Sequence, residues 1–200
     1  VSRIVVVKVG GSLLDWPGFP HALSAYIDSL RPDRVLLIVG GGSVVDLLRR
    51  LDSVHAIGEK RAHVLALRAL ELTARLAETL VPGLQVVERP EQVRKAWEAR
   101  LVPVLSPWWW MENVDRLAAD PLPEEWRTTT DSIAARIARD LPADALVLLK
   151  SHGPGGTTLD RSDAARSGFV DPYFASASAW LDRVGVINLR SSPPETGVLT

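Results

Sequence analysis

Short apolar runs recur along the chain, and each ends abruptly in glycine, proline or a charge. Runs near residues 3–9, 34–39, 84–88, 101–105, 144–149 and 184–189 are rich in β-branched side chains and predict strands. Between them, near 19–30, 43–52, 58–80, 90–99, 130–140 and 173–182, apolar positions recur at helical spacing. The clearest such stretch is "EKRAHVLALRALELTARLAETL", whose leucines fill one broad face before Pro82 and Gly83 stop it. Strands apolar on both faces, alternating with helices, predict an α/β fold with a mainly parallel central sheet covered on both sides. The expected architecture is a three-layer αβα sandwich, one domain over residues 1–200. Ligands in such folds sit outside the carboxyl ends of the strands. Residues 106–129 fit no regular element. With Pro107, three consecutive tryptophans (Trp108 to Trp110), Pro121 and Pro123, they predict a long structured loop over the sheet.

Within this pattern "VVVKVGG" is out of place. Lys8 stands at the tip of the most hydrophobic strand, and a buried lysine needs an anionic partner or loses its proton. Either Lys8 lies in solvent on an edge strand, or it points into a cleft that holds an anion. "ALVLLKSHGPGG" repeats the arrangement at Lys150. The chain has only four lysines against 19 arginines, so two of its four lysines end central strands beside glycines. Two unrelated strand-end charges are the bland account. An anion site clamped by two lysines explains both, and phosphoryl transfer needs that kind of charge stabilisation.

Further polar clusters open helices. "VGGGSVVDLLRR" runs a strand into Gly40, Gly41 and Gly42 and then a helix with Ser43 as its expected cap. Glycines there let backbone N–H groups approach an anion at a helix N-terminus. Neither glycine loop matches G-x-x-x-x-G-K-[ST] or G-x-G-x-x-G. A tight strand-to-helix turn is the plainer reading of either loop alone. "TTTDSIAARIARDL" places Ile133, Ile137 and Leu141 on one stripe, so a helix begins near Asp131. The plain reading is that Thr130 or Asp131 is simply an N-cap, which explains one polar residue and leaves two neighbouring threonines unassigned.

Composition narrows the choices. The 46% hydrophobic and 24% charged residues are ordinary for a globular chain, and the net charge of −1 supports neither a nucleic-acid nor a membrane surface. No apolar run approaches the roughly 18 residues of a membrane span, and the N-terminal run lacks signal-peptide zones, so a cytoplasmic location is expected. The absence of cysteine excludes disulfides, thiolate nucleophiles and Cys-based zinc sites. The histidines suggest no metal site.

Taken in order, these motifs resemble the amino acid kinase superfamily, which includes acetylglutamate, uridylate, carbamate and isopentenyl phosphate kinases. The resemblance rests on "KVGGS", the glycine triplet, "TTDSIAA" and the strand entering a glycine-containing loop, from residue 4 to about 156. Within the superfamily, "HVLALRAL", "VPVLSPW" and "LPEEWRTTTDSIAA" resemble the small kinases of methanofuran biosynthesis, which phosphorylate an aminomethylfuran methyl phosphate. The resemblance implies an ATP- and Mg2+-dependent kinase, forming a homo-oligomer, with a small phosphate or carboxylate acceptor. Lys8, Asp131 and Lys150 would be catalytic. Gly10, Gly11, Ser12, Ser151 and Gly153 would bind the nucleotide phosphates. Gly40, Gly41, Gly42, His63, Thr129 and Thr130 would line the acceptor side. "SHGPGG" departs from the family's V-D-G triplet, with His152 near the usual acidic position. That departure leaves open a nucleotide- or anion-binding protein that kept the fold without the reaction.

Overall fold

The computed structural model describes residues 2–200. Its strands are β1 (Ile4–Val9), β2 (Arg34–Val39), β3 (Leu84–Val87), β4 (Val102–Leu105), β5 (Ala145–Lys150), β6 (Thr158–Leu159), β7 (Val184–Asn188) and β8 (Glu195–Leu199). They form one sheet in the order β3-β4-β2-β1-β5-β7-β8-β6. All neighbours are parallel except β7 and β8. The helices are α1 (Phe19–Ser29), α2 (Gly42–His55), α3 (Glu59–Leu80), α4 (Pro90–Glu98), α5 (Trp108–Asn113), α6 (Thr130–Asp140), α7 (Arg161–Arg166) and α8 (Phe174–Ala177).

The sheet is covered on both faces, because successive side chains of a strand point to opposite sides. Val5, Val7 and Val9 pack with Phe19 and Leu23 of α1 on one face. Val6, Leu36, Ile38, Leu146 and Leu148 pack with Ile133 and Ile137 of α6 on the other. Helix α3 serves both cores, with Leu67 and Leu70 in one and Ala74 and Ala77 in the other. The valines of β1 are at most 2% exposed. Each contributes about 1.5–3 kcal/mol through burial. This central, doubly covered position rules out Lys8 as an edge-strand surface charge.

The structure corrects the sequence reading in five places. Residues 108–113 form α5 rather than loop, and the expected helix over 173–182 shrinks to Phe174–Ala177. Strands β6 and β8 and helix α7 appear where no element was expected. Ser43 is not the cap of α2; the helix starts at Gly42, and the Ser43 hydroxyl instead donates to Asp15 at 2.7 Å. The cap of α6 is Thr129, whose hydroxyl accepts from Asp131 N, so neither Thr130 nor Asp131 has that role.

Candidate active site

Strand parity places the two lysines. Lys8 lies two residues beyond Val6 and Lys150 two beyond Leu148, so both point to the face covered by α6. Their strands are hydrogen-bonded neighbours, with Lys8 opposite Leu148. The first turn of α6 sits above β1 and lowers Asp131 between the two ammonium groups. Asp131 Oδ1 lies 2.9 Å from Lys8 Nζ, and Oδ2 lies 2.7 Å from Lys150 Nζ. Lys150 also donates to the Phe169 carbonyl at 2.8 Å. All three charged groups are buried.

One carboxylate between two ammonium groups leaves a net positive charge in a buried site. Burial pushes the Asp131 pKa up, but the charges of Lys8 and Lys150 outweigh it and hold the group below its ordinary value. Burial lowers the Lys150 pKa to about 8, helped by the charge of Lys8 and opposed by Asp131. An arriving anion restores the balance.

The glycine loops meet backbone to backbone. Gly11 opens a 3-10 turn (Gly11–Leu13), and a Cβ on it would fall 2.1 Å from Gly42 N. Gly42 has φ +50°, which suits glycine alone at no cost. These contacts join the end of β1 to the start of α2. Ser12 donates to Ser151 at 3.0 Å, tying the loops after β1 and β5 together.

Two cavities open on either side of Lys8. One, of about 290 Å³, is lined by Lys8, the Gly40–Gly42 loop, Arg49, His63, Trp126, Thr129 and Thr130, with an apolar wall from Val45, Leu67, Leu70 and Ile133. The other, of about 440 Å³, is lined by Lys8, Gly10, Gly11, Ser12, Asp131, Lys150, Ser151, His152 and Asp171. Lys8, Gly11, Ser12 and Thr129 belong to both. The geometry thus brings together every expected site residue except Gly153. That glycine lies against the Glu195 carboxylate, which a Cβ would strike at 2.2 Å. His152 packs edge-on against Phe169, with ring centroids 5.4 Å apart.

His63 is buried, and burial lowers its pKa. Its Nδ1 lies 3.0 Å from the Glu125 carbonyl. A carbonyl only accepts, so Nδ1 carries the proton and Nε2 is left as an acceptor.

Sequence reasoning missed three contributors. The Asp171 carboxylate accepts from the Thr129 amide and hydroxyl, from the Ser132 amide and hydroxyl, and from Tyr173 N. It therefore pins the α6 turn that carries Asp131. Its own pKa is raised, chiefly by burial. The second contributor is Trp126, the tryptophan that lines the smaller cavity. Its indole N–H donates to Asp52 at 2.6 Å. Arg49, the third, holds its guanidinium 5.2 Å from the Trp126 ring. Trp126 falls inside "LPEEWRTTTDSIAA", so the motif contained the signal. Trp108, Trp109 and Trp110 line neither cavity. Being helical, they diverge around α5. Trp108 lies under Arg68 at 3.3 Å, Trp109 lies 5.5 Å from Arg89, and buried Trp110 donates to Asp140 at 2.9 Å.

The sequence matches the amino acid kinase family over residues 3–153. The chain belongs to that family. No curated protein matches it by sequence. Among solved structures it is similar to uridylate kinase from Archaeoglobus fulgidus, with a TM-score of 0.68 at 17% identity, covering 98% of this chain and 99% of that one. UMP kinase from Ureaplasma parvum gives 0.67 at 14% identity over 100% of both chains. Aspartate kinase from Synechocystis gives 0.67 at 13% identity, covering 98% of this chain and 40% of that one. At such identities the likeness establishes the amino acid kinase fold. Family membership makes the protein a small-molecule kinase in class. No helix among the described residues is long and apolar enough to cross a membrane.

Proposed function

We propose that the protein, acting as a single domain, is an ATP-dependent kinase that transfers the γ-phosphoryl group to a phosphate or carboxylate oxygen of a small anionic acceptor. One observation carries this reading: Lys8 lies in the wall shared by two cavities, beside Lys150 and Asp131. The larger cavity, with the loops after β1 and β5, takes the nucleotide phosphates. The smaller takes the acceptor. Lys8, at the boundary, meets the group in transit, and Lys150 neutralises charge on the nucleotide side. Preorganised cations of this kind are the main catalytic resource in phosphoryl transfer. Asp131 touches the transferring group only through the lysines it orients.

No general base is needed for such an acceptor. A phosphate monoester is already anionic near neutral pH. This fits a cleft whose carboxylates are committed, Asp131 to the lysines and Asp171 to the turn of α6. Among the described residues no cluster of three metal-ligating side chains occurs. Magnesium would arrive with the nucleotide phosphates and water, and when bound it neutralises phosphate charge.

The acceptor we favour is an aminomethylfuran methyl phosphate, as the motif resemblance implies. A cavity of about 290 Å³ with an aromatic face, an apolar wall and a cationic end suits a one-ring phosphate monoester. A second reading is a nucleotide- or anion-binding protein without turnover. The observation favouring it is the Glu195 carboxylate against Gly153, which puts negative charge on the loop after β5. Magnesium-dependent ADP formation, measured over a panel of phosphate monoesters and carboxylates, separates the two. Turnover with one acceptor supports the kinase. Tight ATP binding with no turnover on any acceptor supports the second reading.

A further inference from the structure

One short stretch of chain divides the two cavities. Trp126, Thr128 and Thr130 line the smaller, Arg127 and Asp131 line the larger, and Thr129 lines both. Arg127 is thus turned away from its neighbour Trp126 and toward the side that holds Lys8 and Lys150.

The charge of the larger cavity turns on this arginine. Among the described residues its lining has three basic side chains, Lys8, Lys150 and Arg127, and two carboxylates, Asp131 and Asp171. The lysines and the carboxylates offset one another, so without Arg127 the lining is close to neutral. One residue beyond His152, the Glu195 carboxylate against Gly153 adds negative charge to the neighbouring loop. A nucleoside triphosphate remains anionic even with magnesium bound, and its binding needs a cationic surround.

Arg127 is held loosely, whereas the ammonium groups of Lys8 and Lys150 are committed to Asp131. Its side chain is 65% exposed, and its Nε lies 3.9 Å from Glu125 Oε1, an oxygen that already accepts the Tyr173 hydroxyl. Its guanidinium stands 5.7 Å from the Tyr173 ring. An exposed arginine is ordinarily a solvated surface charge. This one differs in facing a cavity that already holds two lysines.

We propose that Arg127 is the third cation of the nucleotide side and grips the polyphosphate chain of the bound nucleotide. Its planar fork can donate to two phosphate oxygens at once. The proposal rests on reading the larger cavity as the nucleotide site. It gives adjacent residues of one segment separate duties, Arg127 toward the nucleotide and Trp126 toward the acceptor.

Calorimetric titration of ATP with magnesium, and separately of inorganic tripolyphosphate, into the wild-type chain, Arg127→Met and Arg127→Lys tests this. Loss of a hydrogen bond between charged groups should weaken both ligands by about tenfold or more in Arg127→Met, and by less in Arg127→Lys, which keeps the charge. Without ligand, melting temperature and amide exchange over residues 125–133 should stay at wild-type values, as expected for an exposed side chain. Equal affinities in the wild-type and Arg127→Met chains overturn the proposal and leave the nucleotide site standing. Weaker binding accompanied by faster amide exchange in the free variant makes Arg127 a prop for the segment, which also overturns it. A wild-type chain that binds neither ligand refutes the nucleotide reading itself, and this proposal falls with it.

Discussion

Lys150 Nζ lies 2.7 Å from Asp131 Oδ2, while the other oxygen of that carboxylate is held by Lys8 at 2.9 Å. Removing the carboxylate leaves two buried ammonium groups facing each other. Breaking a buried pair in this way costs about 3–5 kcal/mol. Asp131→Asn should therefore lose stability as well as turnover. The loss should be larger at pH 7 than at pH 9.5, because Lys150, with its pKa near 8, sheds its charge at the higher pH. Equal destabilisation at both values, by chemical denaturation, would show that the lysines do not feel Asp131.

The depressed Lys150 pKa has its own signature. Between about 8 and the ordinary lysine value of 10.5, the unfolded chain holds a proton that the folded chain has released. Stability from this group therefore rises with pH across that window, and below it the full burden of the buried charge remains. A bound anion favours the protonated form. Sulfate, which does not titrate in this range, should bind with proton uptake at pH 9 and with almost none at pH 6.5. Calorimetry in buffers of different ionisation enthalpy measures this, and Lys150→Met should abolish the uptake.

Asp171 acts through the turn it pins. In Asp171→Asn one acceptor oxygen becomes an amide donor facing other donors, at a cost of about 1–3 kcal/mol. Turnover per folded molecule should also fall, because Asp131 loses its fixed position. Melting temperature and single-turnover rate together check this. A variant that melts early but reacts at the wild-type rate would confine Asp171 to stability.

Trp126 supplies an aromatic face of the smaller cavity, which we propose takes the acceptor. Stacking on a planar ring contributes on the order of 1 kcal/mol beyond area burial, or about fivefold in affinity. Trp126→Leu should weaken acceptor binding by that factor and leave ATP binding unchanged. Trp109→Leu should change neither, since Trp109 is absent from both cavities.

The six principal strands were legible because each is a buried β-branched run, and β1, β2 and β7 fall within a residue of their expected ends. The lysine pair was legible for a related reason: two of only four lysines end buried runs, where a routine surface charge would not be placed. Helix α5 was hidden because three tryptophans in a row carry no periodicity, and the prolines around them suggest a loop. Strand β6 is two residues long, and the Gly- and Ser-rich sequence around it has no hydrophobic pattern to read. Asp171 lies some forty residues from Thr129, and only the fold brings it beneath α6.

The central claim is that Lys8 acts on the group passing between the two cavities, and the most direct measurement is single-turnover phosphoryl transfer by Lys8→Ala with the nucleotide and acceptor saturating. Losing a cationic donor to the transition state is typically worth on the order of 10²–10³ in rate. A fall of that size in a folded variant that still binds ATP is the expected result. A rate near that of the wild type would contradict the account and return Lys8 to a structural counter-ion of Asp131.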